Sequence, residues 1–216
     1  MADKKIVYFV RHGQSKDNVS PVFQSAESPL SEIGVAQADK IANRVSALQF
    51  EALISSPLPR AKQTAEKIAE KTAKKPEYSE LFVERIKPSQ INGKPYTDKS
   101  ASKAWREWEK SLYTPGVKVN DGENYEEITQ RAAGALNWLK DRPESSMVVV
   151  THGYFLRVMV VKVLLGEHLT PQVSEVFQKV AWMENTGLTV LKLSDSFEED
   201  YMWRLWTYND IAHLAE

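Results

Sequence analysis

An apolar run that stops at a cation, an imidazole and a glycine is the feature that most constrains the fold of this chain. Residues 5–10 read KIVYFV, and Arg11, His12 and Gly13 follow directly. Alternate side chains of a strand point to opposite faces, and both faces of this one are apolar. Such a strand is typical of a parallel sheet with helices on each side. Ligands of these sheets bind at the carboxyl ends of the strands.

A second strand of the same kind is predicted late in the chain. Residues 147–150 read MVVV, and Thr151, His152 and Gly153 follow them. Strand and helix patterns alternate along most of the sequence, which predicts an α/β fold with a mainly parallel central sheet. We therefore expect both His-Gly pairs at one edge of that sheet.

The remaining elements follow from caps and periodicity. Ser31 is a good N-cap for one helix, and Asn124 with Glu127 has the spacing of a capping box for another. A weak strand is predicted at about residues 78–82 and a last helix over residues 171–182. Two strands, near residues 186–193 and 201–208, are predicted to close the chain.

Two further predicted junctions bring charged residues to the same sheet edge. Arg60 falls in the first turn of the helix after residues 52–55, and Glu84 follows the weak strand. A cation in a first helical turn opposes the helix dipole, which favours a functional role for Arg60. Guanidinium groups bind phosphate oxygens, a neutral imidazole can attack phosphorus, and a carboxylic acid can protonate a leaving oxygen. The set therefore suits phosphate monoester chemistry.

The sequence blocks that contain these residues resemble the histidine phosphatase superfamily, the phosphoglycerate-mutase-like proteins. One short block would be weak, but here the blocks recur in order over most of the chain. They are residues 11–15 (RHGQS) with Asn18, residues 30–34 (LSEIG), residues 55–58 (SSPL) with Arg60, residues 122–124 (GEN) with Arg131, and residues 151–153 (THG).

The resemblance implies a three-layer α/β/α sandwich with a helical insertion over the site, and no metal or cofactor. It implies that His12 is the nucleophile that becomes phosphohistidine and that Glu84 is the proton donor, with Arg11, Arg60 and His152 holding the phosphoryl group and Asn18 assisting. The residues themselves add four candidates for phosphate or substrate contacts: Gly13, Gln14, Ser15 and Gly153.

Several alternatives stay open at the level of sequence. Glu80 is the alternative proton donor, because the residues after Glu84 depart from the pattern common in the family. Residues 122–123 are as easily a turn before a helix as part of a site. Two His and a Glu could hold zinc, but the usual His-x-x-x-His spacing is absent. His168 and His213 are interpreted as structural or surface residues.

The pattern between about residues 86 and 123 is irregular, and we interpret it as an insertion, a lid, within a single domain over residues 1–216. Its Trp105 and Trp108 are expected to pack the lid and not to stack on substrate. Its basic residues could attract a second anionic group, although a mixed solvated face is the preferred interpretation; they are Lys94, Lys99, Lys103, Arg106 and Lys110.

The composition limits which classes of binding partner are expected. There are 28 Lys and Arg against 29 Asp and Glu, so the formal net charge is -1 and neither nucleic acid nor membrane is an expected partner. The chain holds 0 Cys, which removes disulfides and thiolate sites. The first strand begins too early to leave room for a signal peptide, so a cytoplasmic location is expected. The expected partner is a small phosphorylated substrate; oligomeric state is unreadable, with a homodimer left open.

Three functions fit these observations. The preferred one is a phosphatase in which water hydrolyses a phosphohistidine. The second is a cofactor-dependent phosphoglycerate mutase. Mutases of that type tend to be longer than this chain and have a Tyr-Gly after the acid position, which this chain lacks. The third is an inactive phosphate-binding scaffold, which would require loss of a catalytic group.

Overall fold

The computed structural model describes residues 3–195 and 202–215, whose strands form one six-stranded sheet. The strands are β1 (Asp3–Arg11), β2 (Ala52–Ser55), β3 (Pro76–Tyr78), β4 (Ser146–Thr151), β5 (Leu188–Ser194) and β6 (Met202–Asp210). The α-helices are α1 (Glu32–Ser46), α2 (Pro59–Thr72), α3 (Lys99–Ser111), α4 (Tyr125–Asp141), α5 (Gly153–Leu165) and α6 (Pro171–Val180).

The strand order is β3-β2-β4-β1-β5-β6. The pairs β1–β4, β2–β4 and β2–β3 are parallel, whereas β5 pairs antiparallel with both β1 and β6. The predicted mainly parallel α/β sheet is confirmed, with an antiparallel edge. In the β1–β4 register Arg11 lies opposite Thr151, so His12 and His152 follow side by side at one sheet edge.

Alternation along the central strands divides the core into two layers. Val7 and Phe9 of β1 belong to the cluster beneath α4 and α5, whereas Val10 belongs to the cluster beneath α1 and α2. On β4, Val149 and Val150 separate in the same way, and all of these valines are fully buried. Burial of both strand faces fixes the strand ends, and thereby the positions of the two His-Gly pairs.

Both predicted helix caps are confirmed. The Ser31 hydroxyl accepts a hydrogen bond from the Gly34 amide at 3.0 Å. Asn124 and Glu127 cap each other's backbone amides at 2.9 and 3.0 Å, which is the predicted capping box. These caps start α1 and α4 on opposite faces of the sheet.

The predicted strand at about residues 78–82 is wrong except at Tyr78, its first residue. β3 ends at Tyr78, and Glu80–Phe82 form a 3-10 turn that the Ser79 side chain caps. The turn buries Phe82 completely in the core cluster beneath α4. Glu84 therefore lies on the loop after this turn and not at a strand end.

The two closing strands and the last helix occur as predicted, within two residues at each end. Tyr201, where the final strand was expected to begin, is outside the described residues. Within residues 3–195 and 202–215, none of the helices is long and apolar enough to cross a membrane.

Residues 86–123 leave the sheet and carry α3. Trp108 of this helix and Leu112 just after it are buried in the core cluster beneath α4 and α5. Ala101 and Ala104 form a small separate cluster with Phe23, which comes from the loop after β1. The insertion is thereby attached to the sheet layer and to the loop that follows the first histidine.

Candidate active site

The hydrogen bonds of His12 define which ring nitrogen can act as a nucleophile. Nδ1 lies 2.7 Å from the Gly13 carbonyl oxygen, which can only accept, so Nδ1 carries the hydrogen. Nε2 accepts from Arg60 Nε at 3.2 Å and therefore holds a lone pair. Burial, and then the charges of Arg60 and Arg11, hold the pKa of His12 well below its ordinary value. The ring is a neutral imidazole with its lone pair directed toward a cation.

Arg60 is fixed in the first turn of α2, as the sequence predicts. It is 2% exposed, and Nη1 donates to the carbonyl oxygens of Ser25 and Ala26 at 3.3 and 3.2 Å. Burial lowers the pKa of Arg60 to about 10, so the guanidinium stays charged at neutral pH. A phosphoryl group on His12 would contact this guanidinium.

Arg11 at the end of β1 supplies a second guanidinium. Its Nη1 donates to the Met183 carbonyl oxygen, and its Nε is buried without a hydrogen-bond partner among the described residues. A Cβ on Gly153 would lie 3.0 Å from that Nε. The missing side chain of Gly153 thus provides the space that the Arg11 guanidinium occupies over the start of α5.

His152 lies beside His12, with ring centroids 4.9 Å apart. Its Nε2 is 2.8 Å from the Ser56 hydroxyl, and its Nδ1 is buried with no partner in the described part of the chain. Burial, followed by the charge of Arg60, holds the pKa of His152 well below its ordinary value. In the tautomer that accepts from Ser56, Nδ1 carries a hydrogen that can stabilise charge on a phosphoryl oxygen.

Glu84 reaches the site from the loop after the 3-10 turn. Its carboxylate accepts from the backbone amides of Tyr154 and Phe155, at 3.3 and 3.0 Å, in the first turn of α5. Burial raises the pKa of Glu84, but the charges of Arg85 and Arg60 and the backbone amides of Arg85 and Phe155 outweigh burial, and the net pKa lies below its ordinary value. Glu80, the alternative acid, is exposed at the surface.

Glu123 of the GEN block, together with Arg131, anchors the loop that carries Glu84. Glu123 and Arg131 form a largely buried ion pair, and Arg131 also donates to carbonyl oxygens of the loop, including that of Glu84. Glu123 in turn accepts from the Ile86 amide at 3.1 Å. The block is therefore more than a turn before α4: it positions the loop of the proposed acid.

The loop candidates after His12 make contacts within the protein. Gly13 packs so tightly that a Cβ would be 2.5 Å from the Gly34 carbonyl oxygen. The side chain of Gln14 accepts from the Ser31 hydroxyl at 2.8 Å, and the Ser15 hydroxyl accepts from Gln24 at 2.6 Å. Asn18 is exposed, and its Oδ1 accepts from the Ser15 amide at 2.9 Å. Within the described residues these side chains bond to the loop and its neighbours, and none of them is hydrogen-bonded to His12.

Three basic residues that sequence reasoning missed line the cavity in front of Arg11 and Glu84. The cavity measures about 180 Å³ and includes Arg85, Lys87 and Arg157 in its wall. Arg85 follows Glu84 directly, and Arg157 is one of two charged residues in a largely apolar helix, so both left a signal in the sequence. Lys87 left none.

The other histidines and the insertion lysines lie apart from this corner. His168 is exposed, and His213 is bonded to Thr186 and Arg44. Within residues 3–195 and 202–215, no group of three or more His, Asp and Glu could hold a metal ion. Each of the five basic insertion residues named from sequence is exposed: Lys94, Lys99, Lys103, Arg106 and Lys110.

The arrangement can hold a phosphate dianion and transfer it. A neutral imidazole with a directed lone pair faces two guanidinium groups, and a second imidazole stands beside it. A carboxylate at a helix start lies within electrostatic reach of both guanidinium groups. These are a nucleophile, anion-stabilising donors and an acid-base group at one sheet edge.

Comparison with known proteins agrees with this chemistry. Proteins named probable phosphoglycerate mutase GpmB from Proteus mirabilis and Cronobacter sakazakii are 31% and 32% identical to this chain. These alignments cover 97% and 96% of the chain, and 95% and 94% of the relatives.

Solved structures share the fold at lower identity. A mycobacterial glucosyl-3-phosphoglycerate phosphatase in complex with VO3 matches with a TM-score of 0.72 and 24% identity, over 95% of this chain and 99% of that one. A phosphoserine phosphatase of Entamoeba histolytica matches with a TM-score of 0.74 and 21% identity, over 97% and 99%.

The family profile described as histidine phosphatase superfamily (branch 1) matches residues 7–209. That range contains β1 to β6 nearly complete and every side chain of the corner described above. The chain therefore belongs to the histidine phosphatase superfamily, branch 1.

Proposed function

We propose that this protein is a phosphomonoester phosphatase that works through a phosphohistidine on His12. The observation that carries the proposal is the hydrogen bonding of that ring. Gly13 fixes the hydrogen on Nδ1, which leaves Nε2 as the attacking atom, and Arg60 lies on the Nε2 side. The family of phosphoryl-transfer enzymes to which the chain belongs supports the same assignment.

In the first half of the reaction His12 Nε2 attacks phosphorus and the bond to the ester oxygen breaks. Arg11, Arg60 and His152 stabilise the charge on the equatorial oxygens. Glu84 takes up the proton that the substrate monoanion brings and gives it to the leaving oxygen, and an alcohol departs.

In the second half a water molecule attacks the phosphohistidine. The Glu84 carboxylate takes a proton from this water as its oxygen bonds to phosphorus, and the bond between phosphorus and His12 Nε2 breaks. Inorganic phosphate leaves with that proton, the lone pair returns to Nε2, and Glu84 is again a carboxylate for the next turnover.

We further propose that the substrate is small, that residues 86–123 act as a lid, and that the reaction needs no metal and takes place in the cytoplasm. The size of the cavity and the contribution of Trp105 and Trp108 to its wall support the first two statements. The near-neutral net charge supports the absence of nucleic-acid and membrane partners.

The test is hydrolysis of an aryl phosphate with excess chelator present. We expect the wild-type protein to turn over, His12→Ala to lose activity by at least three orders of magnitude, and the matched surface variant His168→Ala to keep it. Full activity in His12→Ala would refute the proposal, and so would complete loss of wild-type activity on chelation.

Glu84 is tested by the choice of leaving group. An alkyl oxygen needs a proton and an aryl oxygen needs it much less, so Glu84→Gln should lose roughly 100-fold or more on an alkyl phosphate and clearly less on an aryl phosphate. Glu80→Gln is the matched control, because that carboxylate is exposed, and it should behave like wild type.

Phosphoglycerate mutase activity is the second candidate, because relatives 31% and 32% identical carry that name. A mutase must keep water from phosphohistidine and return the phosphoryl group to substrate. Rapid-quench measurement of acid-labile phosphate decides between the two: a phosphatase forms it transiently and releases phosphate, whereas a mutase retains it and interconverts phosphoglycerate isomers.

A further inference from the structure

The backbone of the proposed nucleophile is held by the loop between α6 and β5. Asn185 Nδ2 donates to the His12 carbonyl oxygen at 3.0 Å. The backbone amide of Thr186 lies 3.4 Å from the same oxygen and donates to the carbonyl oxygen before it at 3.0 Å. On the other side of this peptide unit, the Gly13 amide donates to the Thr64 hydroxyl at 3.1 Å. The peptide unit that joins His12 to Gly13 is therefore fixed through both its oxygen and its hydrogen.

The position of this peptide unit decides where the His12 ring points. Nδ1 of the ring donates to the Gly13 carbonyl oxygen at 2.7 Å, and this bond leaves Nε2 as the attacking atom. That carbonyl belongs to the next peptide unit along the chain, so a shift of the held unit would displace the ring and its acceptor together. The loop thus acts on the attacking nitrogen through the backbone.

Thr186 makes its contact with a backbone conformation that its side chain disfavours. Its φ angle is +60°, in the left-handed region, where a β-branched residue is an outlier. Such residues persist only where the surrounding structure imposes the conformation, and they concentrate at functional sites. In this conformation the Thr186 amide points at the end of β1, next to His12. The strained backbone of Thr186 is thus tied to the contact with the nucleophile.

A directed chain of hydrogen bonds connects the C-terminal segment to this loop. The Thr186 hydroxyl donates its one hydrogen to the Asn185 carbonyl oxygen at 2.7 Å, so it accepts from His213 Nε2 at 3.0 Å. His213 Nδ1 then accepts from Arg44 Nη1 at 3.3 Å. Burial, and then the charge of Arg44, lower the pKa of His213 to about 4, so at neutral pH its ring has the single hydrogen that this pattern requires. Each group donates to the next, from α1 to the loop beside His12.

The segment that carries this histidine is itself anchored. Arg44 of α1 forms an ion pair with Asp210 at the end of β6, and the 3-10 turn Ala212–Leu214 packs against α1. Asn209 Oδ1 accepts from the Glu184 amide at 2.9 Å, at the start of the loop. The end of β6 and the turn after it therefore hold the loop at its start and at its middle.

We propose that Asn185, Thr186 and His213 are positioning residues for the phosphoryl transfer, which fix the backbone of His12 so that Nε2 points at phosphorus. The proposal rests on the proposed function, because it takes His12 to be the nucleophile. The three residues lie outside the wall of the catalytic cavity, so their effect passes through the nucleophile and not through substrate contacts.

The first experiment measures phosphohistidine formation from an aryl phosphate under single-turnover conditions, which separates the rate of attack from substrate affinity. Asn185→Asp replaces a donor by an acceptor, Thr186→Val removes the hydroxyl, and His213→Ala removes the ring. His213→Gln is the conservative variant, because its amide can donate from near the position of Nε2. Thr72→Val is the matched control: it removes a hydroxyl that bonds to the Ile68 carbonyl oxygen at the end of α2, at 2.8 Å.

We expect the rate of attack to fall about 100-fold in Asn185→Asp and about 10-fold in Thr186→Val and His213→Ala, with substrate affinity unchanged within about twofold. His213→Gln should recover most of the rate, and Thr72→Val should keep it. A purely structural role would lower the unfolding temperature and leave the rate of attack in folded protein unchanged. An unchanged rate in either Asn185→Asp or His213→Ala would overturn the proposal, and so would a loss that His213→Gln does not reduce.

The second experiment observes the His12 ring without any turnover. The chain holds 4 His, so proton–nitrogen correlation spectra of protein labelled at the histidine nitrogens distinguish each ring, and His12→Ala identifies the signals of His12. Wild type should show a neutral His12 with its hydrogen on Nδ1. Asn185→Asp and His213→Ala should move these signals away from that tautomer, and Thr72→Val should not.

These spectra separate the proposal from the proposed function. If no phosphate ester is turned over, the phosphatase assignment fails on its own, and the His12 signals still report on positioning. If Asn185→Asp does not fold, His213→Ala and His213→Gln decide alone. His12 signals that stay unchanged in every folded variant of the three residues would refute the proposal.

Discussion

Arg131 and Glu123 form a largely buried ion pair with two hydrogen bonds, from Nε to Oε1 at 2.7 Å and from Nη2 to Oε2 at 2.8 Å. The same guanidinium donates to the carbonyl oxygens of Leu81, Val83 and Glu84 at 3.1, 2.9 and 3.3 Å. Arg131 therefore ties α4 to the loop that presents the proposed acid.

Removing the carboxylate of Glu123 should damage both stability and catalysis. Glu123→Ala leaves the Arg131 charge, whose side chain is 13% exposed, without its carboxylate partner, which should cost about 1–3 kcal/mol of unfolding free energy. Because the loop loses its anchor, kcat on an alkyl phosphate should fall by at least about tenfold. Urea unfolding and steady-state kinetics measure the two effects. Glu107→Ala, from an exposed pair with Lys103, is the control and should change stability by less than about 0.5 kcal/mol. Similar behaviour of both variants would refute the role of the Glu123–Arg131 pair.

Protonation of His12 should not limit activity between pH 8 and pH 6. Burial and then Arg60 lower the pKa of His12 well below its ordinary value, so the ring stays neutral as the pH falls through this range. The pKa of Glu84 is also lowered, so the proton for the leaving group enters with the substrate monoanion, whose own pKa is about 6. We expect kcat/KM for an alkyl phosphate to rise about tenfold per unit as the pH falls from 8 toward 6.

The matching profile for an aryl phosphate should be nearly flat over the same range, because its leaving oxygen needs no proton. Steady-state kinetics from pH 5.5 to 8.5 with both substrates measures this. If kcat/KM fell for both substrates on acidification, with a midpoint near pH 6.5, a histidine with an ordinary pKa would be titrating. The lowered pKa assigned to His12 would then be wrong.

Gly34 should tolerate no side chain, because its Cβ would lie 1.9 Å from the Gln14 carbonyl oxygen. Gly34→Ala must push the loop that begins at His12 away from α1, at a cost of about 1–3 kcal/mol or more. Gly134 in α4 is the control: its Cβ would meet nothing within 4 Å, and Gly134→Ala should stabilise the protein by about 0.5–1 kcal/mol. Thermal unfolding of both variants tests this contrast, which would fail if Gly34→Ala were neutral.

Asn18 offers a test of loop geometry against direct phosphate contact. Its Oδ1 accepts from the Ser15 amide at 2.9 Å, and Asn18→Asp keeps that acceptor whereas Asn18→Ala loses it. If shaping the loop is its role, Asn18→Ala should lose about 0.5–1.5 kcal/mol of stability and Asn18→Asp should stay close to wild type in KM. The reverse order, with a strongly raised KM in Asn18→Asp, would mean that its amide contacts the phosphoryl group.

The residues at the sheet edge could be predicted from the sequence because each pattern that indicated them was local. The apolar runs before His12 and His152 required strands buried on both faces, and such strands end at a common edge. The position of Arg60 in the first turn of a helix was equally a matter of short-range spacing. Each of these positions depends on a few neighbouring residues whose burial pattern is visible in the chain itself.

The backbone conformation that leads to Glu84 could not be predicted from local sequence patterns. Residues 78–82 have the composition of a strand, but burial of Phe82 beneath α4 turns the chain into a 3-10 turn. Similarly, residues 122–123 are indistinguishable from a turn until Arg131 is seen to bond the loop of Glu84. Both outcomes depend on contacts between segments about 40 to 50 residues apart.

By itself the sequence determined the α/β class, the two imidazoles and the guanidinium groups at one sheet edge, because periodicity and strand ends are local consequences of burial. Only the tertiary structure decided which acid reaches the site and that Arg85, Lys87 and Arg157 surround it. Those side chains come from a loop and a helix that meet through packing of α5 against α4 and the insertion. The direction of a charged side chain follows from such packing, and no short-range pattern encodes it.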